Sequence, residues 1–155
     1  MCYYIKMSET LELKNSNNKN IQINCVRDFM FLNNKENINI YYKLIVGEDG
    51  SIKINDEHLP CAVDSNGWLI EIDDVCMIDE NTIAIVSPSG VISIYRKENN
   101  IWTYKILLES DECFYEITKA YIQEIKEPTL VVSLLHLYIN TEFRGNKEYT
   151  FDITN

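Results

Sequence analysis

Two histidines and five cysteines hold whatever nucleophilic chemistry this 155-residue chain possesses. His58 and Cys61 flank Leu59-Pro60. A cysteine beside a histidine becomes a reactive thiolate only where the two side chains meet within hydrogen-bond reach. Nothing in a three-residue spacing enforces that, so the simple expectation is a surface histidine and a half-buried cysteine. His136 lies in the most apolar run of the chain, Thr129 to Ile139, and is expected as a core or interface histidine bonded to a carbonyl. The chain has no Gly-x-Ser-x-Gly and no His-Glu-x-x-His, so no catalytic residue is assigned.

Metal and phosphate chemistry find equally little. Zinc would need four ligands drawn from widely spaced Cys2, Cys25, Cys61, Cys76, Cys113 and the two histidines, with no Cys-x-x-Cys to start from. Calcium is the sharper idea, because Asp64, Asp73, Asp74, Asp79 and Glu80 crowd one region. No loop there has the spaced acid-x-acid-x-acid-Gly order, and Asp64-Ser65-Asn66-Gly67 reads as a turn. Glycine-rich phosphate loops are absent. No metal and no cofactor are expected.

The charge pattern is more informative. Residues 56–116 carry thirteen carboxylates against three bases, whereas residues 1–55 and 117–155 are nearly neutral, so the middle holds the formal net charge of −10. A field of one sign selects partners and speeds encounter with them. Direct nucleic-acid binding is disfavoured, since phosphates require basic clusters and the largest here are pairs such as Arg96-Lys97. The expected outward positions are Glu71, Asp73 and Asp74, with Asp79-Glu80 ending the next strand and Asp111-Glu112 folding near them. With exposed Trp102 and Tyr104 as aromatic anchors, these residues form the expected partner-binding face. Ordinary sheet packing of the aromatics and a solvated acidic surface are the plain alternatives.

The elements that must position these residues are strands. Apolar and polar residues alternate along Ile21–Cys25, Ile38–Tyr42, Trp68–Ile72, Thr82–Val86 and Val91–Tyr95, the period of a half-buried sheet. Turn clusters recur at short intervals: Gly47–Ser51, Asp64–Gly67, Asp79–Asn81, Ser87–Gly90 and Lys97–Asn100. Strands are expected near 2–7, 9–14, 20–32, 37–46, 51–55, 59–63, 67–73, 75–79, 82–87, 91–97, 101–108, 113–126, 129–139 and 147–153. Residues 113–126 also offer helical spacing (Phe114, Ile117, Tyr121, Ile125) before Pro128, and strand is preferred for its threonine and aromatic content. Residues 129–139, apolar on both faces, read as a central strand covered on both sides. Val75 to Leu107 looks like one four-stranded blade of a β-propeller, without a second copy or landmark dipeptides, and is treated as a generic meander.

One β-rich domain over 1–155 is therefore expected: all-β, mainly an antiparallel meander arranged as a sandwich, barrel or propeller-like blades, with at most one or two helices. No apolar run approaches the ~20 residues a membrane helix needs, and Met1–Glu9 lacks the pattern of a secretory signal. Scattered cysteines in apolar settings suit reduced thiols, so a cytoplasmic location is expected. The expected function is non-enzymatic. The acidic protein docks on a basic protein or nucleoprotein surface, most concretely as an inhibitor or immunity protein that competes with nucleic acid for the basic groove of a nuclease or similar complex. Two alternatives stand beside it. One is a structural subunit of a homo- or hetero-oligomer, with strands such as 129–139 paired across chains. The other is a small enzyme or ligand-binding protein using Cys61 and His58.

Overall fold

Alternating side chains and two-residue turns build three meanders in series. The computed structural model describes residues 4–7, 25–47 and 50–154. The first sheet contains β1 (Tyr4–Met7), β2 (Cys25–Lys35), β3 (Ile38–Gly47), β4 (Ile52–Ile54) and β5 (Glu57–Leu59). The second contains β6 (Asp74–Asp79), β7 (Thr82–Val86), β8 (Val91–Glu98) and β9 (Ile101–Glu109). The third contains β10 (Phe114–Glu127), β11 (Leu130–Thr141) and β12 (Gly145–Asp152). In each sheet neighbours in sequence are neighbours in space, and every pairing is antiparallel. The fold is all-β, with no helix among the described residues. The expected strand 9–14 lies outside the described residues, as does the start of 20–32.

Asparagine supplies the turn chemistry. Glu36-Asn37 and Asn99-Asn100 hold left-handed backbone at both central positions, and Asn55 does so between β4 and β5. That twist matches the flanking strands, and asparagine tolerates it better than other residues with a Cβ.

The sheets stack in order around two cores. One face of the second sheet (Val75, Met77, Ile83, Ile85, Tyr95, Trp102) packs on Phe29, Phe31, Leu44, Ile52, Ile54 and Leu59 of the first. Its other face (Ala84, Val86, Ile92, Ile94) packs on Phe114, Ile117, Leu135, Leu137 and Ile139 of the third. All five residues of β7 and the first five of β8 are buried.

Residues 113–126 are a strand, as preferred, and their helical spacing is unused. Two local expectations are corrected. Strands 59–63 and 67–73 are instead a loop with one isolated bridge, Val63 to Leu69. The loop spends its bonds locally: Asp64 Oδ1 accepts from the N–H groups of Asn66 and Trp68, and Asp64 O accepts from Gly67. β11 is central in its sheet, but only Leu135, Leu137 and Ile139 reach the core, while Leu130 and Val131 are exposed. Cover on both faces belongs to β7 and β8.

Candidate functional site

The acidic residues do not converge on one face. β6 runs from Asp74 to Asp79, about 17 Å at a strand's rise per residue. Glu71 and Asp73 precede it and Glu80 follows it, so they sit at opposite ends. At the first end Arg27 Nη1 donates to Asp73 Oδ1 at 3.4 Å and to Ile72 O at 3.3 Å. Asp111 and Glu112 join this end, because Ser110 and Glu112 carbonyls close over Gly90, the turn residue that follows β7. Asp111 is exposed and Glu112 half-buried.

Asp74, expected outward, is buried. Its Oδ2 accepts the backbone N–H of Ile117 at 2.8 Å. Register shifts interrupt β10 on both sides of Ile117, and the carboxylate takes the N–H exposed there. Along β6, Asp74, Cys76 and Ile78 share the face toward the third sheet, which removes Asp74 from any docking surface.

The second end is a groove. Three turns border it: Asn55-Asp56 from the first sheet, Glu80-Asn81 between β6 and β7, and Asn99-Asn100 between β8 and β9. It encloses about 700 Å³, with Tyr42, Ile54, Glu57, Lys97 and Trp102 completing its lining. Glu57 is the keystone. Lys97 Nζ donates to its Oε1 at 2.5 Å and Trp102 Nε1 donates to its Oε2 at 2.8 Å. These two bonds, Lys97 first, hold the Glu57 carboxyl below its ordinary pKa. Turn geometry fixes the rim: Asn55 Oδ1 accepts from the Lys43 N–H at 3.0 Å, Asp79 Oδ1 from the Asn81 N–H at 2.8 Å, and Asn81 O from the Lys97 N–H at 2.8 Å.

Trp102 is not the exposed anchor expected of it. It is 7% exposed and belongs to the first core, offering the groove only the edge that reaches Glu57. Tyr104 is half-buried against Tyr95, ring centroids 5.7 Å apart, and its hydroxyl accepts from the Val63 N–H. It does not line this groove. The solvent-facing large aromatics include Trp68, at 73%, and Phe143, at 78%.

Cys61 and His58 are both exposed, His58 opposite Lys53 on β5 and Cys61 beyond the strand's end, and no hydrogen bond joins them. Buried Tyr95 anchors this segment by donating to Pro60 O at 2.7 Å, and burial pushes its phenol far above the ordinary value. His136 lies on the outer face of the third sheet, not in the core. Its Nε2 meets Gln123 Oε1 at 2.9 Å and its Nδ1 meets Glu148 and Thr150 at 3.3 Å, with Tyr121 stacked on the ring at 4.6 Å. Its partners are side chains, with the Gln123 amide carbonyl as the carbonyl among them. Among the described residues no group of three or more histidines, cysteines and carboxylates could hold a metal ion.

The groove residues missed in the sequence are Tyr42, Ile54, Asn55, Asp56, Glu57, Asn81, Lys97, Asn99 and Asn100. Their available signal was the asparagines of the turns. Compared with known proteins, the chain matches no family model, no curated protein and no solved structure.

Proposed function

We propose that this chain is a non-enzymatic binding protein whose groove takes a cationic segment of a basic protein or nucleoprotein partner. The observation that carries the reading is the charge balance of the groove. Lys97, the one cation among its lining residues, is held by Glu57, while Asp56 and Glu80 have no ion-pair partner among the described residues. The net field is negative, and Asn81, Asn99 and Asn100 add amide groups on the rim. An open, polar groove of this kind suits lysine or arginine side chains on a projecting loop better than an enclosed apolar ligand. Complementary charge contributes encounter rate and specificity more than affinity. The most concrete version is an inhibitor or immunity protein that covers the basic surface of a nuclease or other nucleic-acid-handling complex.

The test compares two charge reversals in capture from the native host's lysate. Asp56→Lys with Glu80→Lys alters the groove; Glu71→Lys with Asp111→Lys alters the opposite end by the same charge. A basic partner retained at ~0.1 M salt and lost at ~0.5 M, where screening is strong, should disappear with the groove variant and persist with the other. Loss with only the Glu71/Asp111 variant, or retention with both, overturns the assignment of the groove.

A further inference from the structure

The β10–β11 hairpin outgrows the cores beneath it. β12 pairs with β11 only from Leu134 to Thr141, whereas β10 and β11 stay paired to the Glu127–Leu130 turn. β10 is the end strand of its sheet. The Asp74 carboxylate occupies its free side at Ile117. Beyond that stitch the register is regular from Lys119 to Glu127, and residues 123–127 are all exposed. Tyr121 is 37% exposed and Ile125 38%. A long, regular edge is a template for another strand, and proteins usually block it with charge, proline or bulges.

The charges on this edge do not block it against a second copy. We propose that the chain forms a two-fold homodimer by antiparallel pairing of β10 with β10, centred on Gln123. In that register Lys119 of each copy faces Glu127 of the other, and Tyr121 faces Ile125. Each pair occurs twice, as an isologous interface requires. Odd-numbered residues of this stretch share the outer face, shown by Lys119 over Tyr121 and by Tyr121 and Gln123 against His136. A two-fold axis normal to the sheet through Gln123 keeps that face outward in both copies. Glu127 and Leu130 close a two-residue turn as a hydrogen-bonded pair, so the backbone groups of Ala120, Ile122, Glu124 and Lys126 point to the free side. They supply about eight inter-chain hydrogen bonds. The joined sheets run β12-β11-β10 into the second copy's β10-β11-β12. His136 already holds Tyr121 by stacking and Gln123 by a bond at 2.9 Å, which reduces the ordering cost.

The register is selective. β11, the strand expected to pair across chains, is flanked on both sides along 134–141 and has no edge to offer there. On β12, the same operation about Tyr149 sets Lys147 against Phe151 and leaves no charge pair.

Sedimentation equilibrium of the full chain tests the proposal. Wild type is expected to dimerise with a dissociation constant in the micromolar range, as suits a small, partly polar interface. Lys119→Glu and Glu127→Lys each convert two attractive pairs into two repulsive ones and should each weaken the dimer about tenfold or more. The double variant Lys119→Glu/Glu127→Lys should restore it, and an equimolar mixture of the two single variants should form a heterodimer. Both single variants should keep the wild-type circular dichroism at concentrations where the protein is monomeric, since both sites are exposed. A wild type that stays monomeric at ~100 µM overturns the proposal. So does a dimer that is indifferent to the single reversals, or one that the double variant fails to restore.

Discussion

Glu57 orders the groove because its side chain bonds two other lining residues at once, one through each carboxylate oxygen. Its depressed pKa sets the sign of a pH effect. The ionised form is favoured in the fold, so its contribution is fully present above the ordinary carboxylate value and fades as pH falls through the lowered one. The group is exposed, so the contribution is small, about 0.5 kcal/mol or less. The structural consequence is easier to read than the energy. The Trp102 indole N–H resonance should move upfield as pH falls below the ordinary carboxylate range, while the Trp68 resonance, from an indole open to solvent, stays in place. Glu57→Gln should remove the titration of Trp102. A Trp102 signal titrating equally in both proteins would show that Glu57 does not control it. This contact could not be read from the sequence, since its partners lie 40 and 45 positions away. Nor could the burial of Asp74, which depends on an N–H exposed by irregularity in a strand of another sheet.

At the scale of elements, the turn between β7 and β8 carries more than reversal. Gly90 has φ +88°, and a Cβ built there would lie 2.2 Å from Ser110 O and 2.4 Å from Glu112 O. Ser110 N–H also donates to Gly90 O at 2.8 Å. The turn thus clamps the strap that leads from the second sheet into the third. Gly90→Ala meets both an unfavourable backbone conformation and two backbone carbonyl oxygens inside contact distance, and should cost at least ~2 kcal/mol. Gly67→Ala, at a similar φ of +82° but with open space around it, isolates the backbone part of that cost. Urea denaturation of the two variants should therefore rank Gly90→Ala well below Gly67→Ala, and equal losses would mean that the strap yields. Turns such as Ser87–Gly90 and Asp79–Asn81 were legible because their chemistry is local. Residues 59–73 were misread because alternation at Ile70 and Ile72 records which side chains pack inward, while the backbone N–H groups bond elsewhere, Trp68 to Asp64 Oδ1, Ile70 to Ala62 O and Asp73 to Val86 O. Ile70 and Ile72 still pack on the first core, so their inward direction was right, whereas Trp68 faces solvent and the strand does not form.

For the whole molecule, the all-β class and the meander order followed from alternation and short turns, but the stacking did not. Apolar content on both faces pointed to residues 129–139 as the doubly covered strand. The strands that are doubly covered, β7 and β8, include Thr82, Ala84 and Ser93, whose small side chains let neighbouring sheets approach and lower the apparent hydropathy. Their position couples the two cores. Ile85 faces the first core and its neighbour Val86 the second, so losing either core uncovers the same strands. One unfolding transition should follow. Leu137→Ala hollows the second core, with an expected loss of about 2–5 kcal/mol. Trp102 reports from the first core, on the other face of the central sheet. If the sheet transmits the loss, urea curves read by Trp102 fluorescence, in a Trp68→Phe background, and by amide signals of β11 should shift together and keep a common midpoint. Leu44→Ala, which hollows the first core, should move both signals in the same way. A Leu137→Ala protein whose β11 signals vanish while Trp102 keeps its original midpoint would show two cores that share a sheet but not a transition.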